Sequence, residues 1–76
     1  MKARQLLAVL ARPPLRYSVV RQVGSHRRLE SAGGYPPLTF AWHDGATIAP
    51  GLVRKILVQQ VGLSVQEALQ CLRRMR

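Results

Sequence analysis

Two histidines, His26 and His43, and the arginines clustered around the first, Arg21, Arg27 and Arg28, are the side chains here best suited to chemistry. An imidazole titrates near neutrality, with an unperturbed pKa of about 6.5, so it can accept a proton and return it. Such a base can take the 2′-hydroxyl proton of a ribose, whose oxygen then attacks the adjacent phosphate with no need of a metal. Neighbouring guanidiniums hold a phosphate through a planar fork of donors and offset the charge that develops on its oxygens. The same residues also fit plainer roles. A lone histidine on a sheet is more often a hydrogen-bonding surface or core residue than a catalyst. A basic cluster equally suits a nucleic-acid-binding module, or a small domain that docks on an acidic partner.

Composition narrows these options. The chain has 76 residues, with 12 Lys and Arg against 3 Asp and Glu, a net charge of +9. Most of the cations are arginine, and no acidic residue precedes Glu30. A surface this basic attracts polyanions, and nucleic acid is the commonest of them. The length allows one domain, residues 1–76, whose core hides roughly 60% of the surface of the unfolded chain. A deep cavity between two lobes is excluded, so a site must lie on an exposed face or in a shallow groove. The 47% hydrophobic content excludes a disordered tail. Cys71 is the only cysteine, so no internal disulfide forms. Together with two histidines it falls short of the four ligands of a structural zinc site. No metal or cofactor is expected, and a reducing cytoplasm fits. Residues 1–18 are acid-free and carry arginines, as a transit peptide would. The apolar run at 6–11 is too short for a secretory core, and nothing approaches the roughly 20 apolar residues of a membrane span. The segment reads as a structural helix.

The elements that must position the histidines follow from periodicity. Ala3, Leu6, Leu7 and Leu10 form the stripe of an amphipathic helix over residues 2–12, stopped by Pro13-Pro14. Residues 15–31 favour extended chain, with Gly24 marking a turn, and residues 31–37 form a loop. Leu38, Phe40 and Trp42 then alternate with Thr39, Ala41 and His43, which predicts a strand over 38–43. Pro50 opens a helix carrying Leu52, Val53, Ile56 and Leu57, and Gly62 closes it as a left-handed cap. Ser64 and Glu67 form a capping box for a last helix, with Val65, Ala68, Leu69 and Leu72 on its inner side. The order α-β-β-β-α-α indicates an α+β domain, a three-stranded antiparallel sheet with helices on one face.

Parity assigns the faces, since side chains alternate across a strand. Leu29 is the one strongly apolar residue of the middle strand and must point inward, which sends His26, Arg28 and Glu30 to the open side. His43 has the parity opposite to Leu38, Phe40 and Trp42, so it too faces out. A bulge near Gly24 would invert the first assignment. Phe40 and Trp42 could stack on bases, but their alternation with Leu38 makes them core. Tyr17 and Tyr35 are stacking candidates without positional support. Arg73, Arg74 and Arg76 could meet phosphate, or simply complement the dipole of a helix C-terminus.

A further signal is a resemblance carried by ordered motifs. Met1-Lys2-Ala3-Arg4 before a short helix resembles the start of HicA toxins, and Arg21-Gln22-Val23-Gly24-Ser25-His26 resembles the Gly-Ser-His segment that holds their catalytic histidine. His43-Asp44-Gly45, the run from Pro50 to Leu57, and Val61-Gly62-Leu63-Ser64 with Glu67 follow in the family's order and spacing. The resemblance implies a double-stranded-RNA-binding-like fold in the toxin of a type II toxin–antitoxin pair. It further implies a metal-independent endoribonuclease that cuts mRNA, with His26 as general acid/base. Arg21, Ser25, Arg27, Arg28, His43, Arg54 and Lys55 are then the expected RNA contacts, and a HicB-like antitoxin the partner that covers the histidine. The free toxin is expected to be a cytoplasmic monomer. This sequence departs from the family's pattern at Arg27-Arg28-Leu29, at the 33–37 loop and at Pro13-Pro14.

Overall fold

A computed structural model describes residues 1–73, so Arg74 and Arg76 lie outside the described residues. The first apolar stripe folds as helix α1, Ala3–Ala11, which buries Ala3, Leu6, Val9 and Leu10. Its N-terminal donors, which have no partner within the helix, are met by the segment that follows the sheet. Ala3 N–H donates to the Ala46 carbonyl at 2.8 Å and Arg4 N–H to the Asp44 carbonyl at 3.2 Å, while Ile48 N–H donates to the Met1 carbonyl at 2.7 Å. Lys2 Nζ adds bonds to the Gly45 carbonyl and to Thr47 Oγ1. The N-terminal segment is thus built into the fold.

Three strands follow, β1 Tyr17–Val23, β2 His26–Ser31 and β3 Leu38–Phe40, in an antiparallel sheet of order β1-β2-β3. Val23 pairs with His26 across Gly24-Ser25. Gly24 has φ +59° while Ser25 stays out of the left-handed region, the pattern of a two-residue type II′ hairpin, in which glycine takes the first central position. The extra residue of the sheet is elsewhere. Val19 pairs with Leu29 but Arg21 with Arg28, so Val20 is a one-residue bulge in β1.

The third strand is shorter than its alternation predicts. Arg27 pairs with Phe40, so an antiparallel partner for Ala41 would be His26 and for Trp42 the turn itself. The hairpin ends there, so residues 42 and 43 have no strand residue opposite them, and β3 stops at Phe40. Trp42 is half-buried against the core and meets Phe40 edge-on, with ring centroids 5.0 Å apart. His43 begins a turn closed by Ala46 N–H on the His43 carbonyl at 2.9 Å.

Helix α2, Pro50–Lys55, starts with Pro50 in its first turn and runs on as a π-helical turn, Ile56–Gln60. Gly62, at φ +91°, lets the chain reverse so that Leu63 N–H reaches the Leu57 carbonyl at 3.0 Å and Leu63 is buried. Helix α3, Val65–Arg73, has the expected box: Ser64 N–H donates to Glu67 Oε1 at 3.0 Å and Glu67 N–H to Ser64 Oγ at 3.1 Å. Its buried side is Ala68 with Cys71 and Leu72 packed nearby, whereas Val65 and Leu69 are exposed. The inner stripe is therefore rotated from the one periodicity suggests, with Ala68, Cys71 and Leu72 in place of Val65 and Leu69.

The core joins Leu6 and Leu10 of α1, Leu29, Leu38 and Phe40 of the sheet, and Val53, Ile56, Leu57 and Val61 of the second helical segment. All the helices contribute to this side. The opposite face of the sheet carries exposed Arg21, Val23, His26, Arg28, Glu30 and Thr39. The architecture is the α+β arrangement expected, with one covered and one open face. No helix among the described residues is long and apolar enough to cross a membrane.

Candidate active site

His26 is the first residue of β2, immediately after the type II′ turn, and its side chain is exposed on the open face. Parity settles this as the sequence suggests: Leu29 is buried, while His26, Arg28 and Glu30 are exposed. A shallow groove of about 220 Å³ lies along this part of the sheet, lined by Arg21, Val23, His26, Arg27, Arg28 and Thr39. Arg21 and Arg28 are cross-strand partners, and Thr39 sits across from Arg28 on β3.

Arg21 owes its place to the bulge. In an unbroken ladder continuing from Val19 and Leu29, Val20 would face Arg28 and Arg21 would face Arg27 on the covered side. The extra residue at Val20 returns Arg21 to the open face beside Arg28. Two exposed guanidiniums, Arg21 on β1 and Arg28 on the strand that carries His26, thereby lie side by side on the open face, and neither makes an ion pair among the described residues. Thr39 and Val23 join the groove without having stood out in the sequence, because only the register of three strands shows them to be neighbours.

Arg27 is engaged differently. It has the parity of Leu29, and its side chain is only 14% exposed. Its guanidinium meets Asp44 Oδ1 at 2.6 Å, and Asp44 is itself tied to α1 through its backbone carbonyl. The pair fastens the hairpin tip to the loop that leads into α2. Ser25 is half-buried in the turn, one residue from His26. His43 is exposed but lies beyond the end of β3 and does not line the groove of His26. Arg54 and Lys55 line a separate surface groove on the helical side with Val58, Gln59 and Val65. The structure therefore brings together His26, Arg21 and Arg28, supports them with Arg27, and keeps His43, Arg54 and Lys55 apart from them. No group of three or more His, Cys, Asp or Glu that could hold a metal ion occurs among the described residues.

Residues 3–63 match the family model described as the HicA toxin of bacterial toxin–antitoxin systems. The chain belongs to the HicA toxin family. The matched region begins with α1 and ends just past the Gly62 turn, so it contains the whole sheet, the hairpin with His26 and the second helical segment. No curated protein and no solved structure matches the chain. Membership makes this HicA chain the toxin of a toxin–antitoxin system, and such a system implies an antitoxin as its partner. His26 stands on the open face of the sheet in this toxin, beside Arg21 and Arg28.

Proposed function

We propose that this toxin is a metal-independent endoribonuclease acting on mRNA in the cytoplasm, with His26 as its general acid/base. The observation that carries the reading is the exposed imidazole of His26 in a groove it shares with Arg21 and Arg28, on the sheet face opposite the described helices. In this reading the imidazole takes the 2′-hydroxyl proton of a bound ribose. The oxygen attacks its own phosphate, the bond to the 5′-oxygen breaks, and that oxygen takes up a proton. The products are a 2′,3′-cyclic phosphate and a 5′-hydroxyl. Arg21 and Arg28 bind the phosphate and balance charge gathering on its oxygens, with Ser25 as a further donor at the turn. A planar, bidentate guanidinium suits this task better than an ammonium. Arg27 supports the hairpin through Asp44 and acts as a positioning residue. His43, Arg54 and Lys55 would contact only RNA that extends beyond the groove. A HicB-like antitoxin neutralises the toxin by covering the open face.

The test is growth and RNA integrity after induction of the wild-type chain and of His26→Ala from matched plasmids, with expression followed by blot. Arrest with loss of mRNA for the wild type alone is the expected result. Equal arrest by both proteins would move catalysis away from His26. Good expression of both with no effect from either would leave a binding module in place of a nuclease.

A further inference from the structure

The chain has three acidic residues. Two of them serve the fold: Asp44 pairs with Arg27, and Glu67 caps α3 through Ser64. Glu30 does neither. It stands exposed on the open face in the same row as His26 and Arg28, opposite Ser18 of β1. A carboxylate there repels the phosphates that the neighbouring arginines attract. A site of that sign suits the one part of a nucleic acid that is rich in hydrogen-bond donors, the edge of a base.

Glu30 also borders a second cleft, of about 280 Å³, whose other walls are Ser31, Tyr35 and Pro37. The cleft is held in shape from below. The Tyr17 hydroxyl donates to the Pro36 carbonyl at 2.6 Å and ties the 35–37 loop to β1. The Ser31 hydroxyl is already committed, donating to the Leu15 carbonyl and accepting from Gly33 N–H. Burial, and then the nearby Tyr35, hold the Tyr17 phenol above its ordinary pKa, so it remains a neutral donor. Tyr35 is half-buried, with the core on one side and the cleft on the other. An aromatic ring beside an acceptor is the combination with which proteins hold a splayed single-stranded base. Glu30 is four steps along the strand from His26, about 13 Å at roughly 3.3 Å per residue. That is too far for the carboxylate to share a proton transfer with His26, and suits a neighbouring nucleotide.

We propose that Glu30 and Tyr35 form a base-specificity subsite that selects guanine in the RNA strand next to the nucleotide cut at His26. Guanine is the base whose Watson–Crick edge offers two adjacent donors, N1–H and the 2-amino group, and a carboxylate accepts both at once. Tyr35 stacks on the ring, and Arg28 lies between the two subsites for the connecting phosphate. The inference rests on the ribonuclease reading.

Its test uses the wild-type protein and short fluorescent 2′-O-methyl oligouridines, which lack the attacking hydroxyl, each with one guanine, inosine, adenine or cytosine. Guanine should bind tightest, by roughly tenfold over uridine, and inosine, without the 2-amino group, should fall between. Glu30→Ala should level guanine with the other bases. Tyr35→Ala should weaken all of them, and Tyr35→Phe should restore binding. Binding with no preference for guanine, or with a preference that survives Glu30→Ala, would overturn the subsite and leave the nuclease reading standing. So would a uniform gain in affinity for Glu30→Ala, which would reduce the carboxylate to a repulsive charge. Failure of the wild type to bind any oligonucleotide would overturn both readings.

Discussion

Arg27 and Arg28 are adjacent in sequence and opposite in role. Arg27 points to the covered side, is largely buried and pairs with Asp44, whereas Arg28 points to the open side among Arg21 and Thr39. The same alternation separates Leu29, buried in the core, from His26 and Glu30, exposed in the grooves. One six-residue strand thus serves the fold with every second side chain and the proposed site with the others. The stability of the domain and the chemistry of its surface can therefore be altered independently at neighbouring positions.

The largest effect that would sharpen this comparison is at Leu29. Truncation to alanine leaves a cavity beneath the sheet and should cost roughly 2–5 kcal/mol of stability, while His26→Ala should leave the unfolding free energy within about 0.5 kcal/mol of wild type. Chemical denaturation of both variants measures this. A comparable large loss from His26→Ala would break the comparison, since it would make His26 part of the structure.

The arginine pair gives a smaller effect of opposite kinds. Arg27→Ala should lower stability by on the order of 1 kcal/mol, a modest figure because Asp44 is 61% exposed and its ion pair is partly screened. Arg28→Ala should leave the denaturation curve unchanged and instead reduce the salt dependence of RNA binding by a slope of about 0.7. Titrations of a non-cleavable RNA at several salt concentrations, run beside thermal melts, separate the two. Loss of RNA affinity in both variants with no change in either melt would show that the strand does not divide its work in this way.

The smallest effect lies away from the sheet and serves as its control. Hydrogen bonds from the backbone and hydroxyl of Ser64 hold the Glu67 carboxyl below its ordinary value. Its folded pKa is thus lower than its unfolded one, so its contribution to α3 is complete above the unfolded value and is lost as pH falls through the folded value. Acid titration of helical signal should show slight fraying of α3 in the wild type, and Glu67→Gln should remove that pH dependence while leaving RNA affinity unaltered.

Much of this arrangement was legible in local pattern. The leucine stripe of α1, the turn at Gly24, the left-handed cap at Gly62 and the Ser64–Glu67 box each depend on residues within a few positions of one another, so the chain specifies them locally. The facing of His26 follows from Leu29 by simple alternation, and the family follows from the order of short motifs. The rest depends on register between strands and on contacts distant in sequence. An alternating run at 38–43 shows where a strand could form, but the hairpin turn at Gly24-Ser25 decides how far it has a partner, and so removes His43 from the sheet. The bulge at Val20 decides which face Arg21 occupies, and no local pattern marks it. Arg27 and Asp44 are seventeen positions apart, and no local pattern links them; only the folded chain, with α1 holding the 44–48 segment against the hairpin, makes them a pair. Sequence alone thus determined the kinds of elements and the facing of the candidate histidine, because those are set by nearest neighbours along the chain. Tertiary structure decided which cations join it, because backbone pairing across strands sets the distance and direction of every side chain on a sheet.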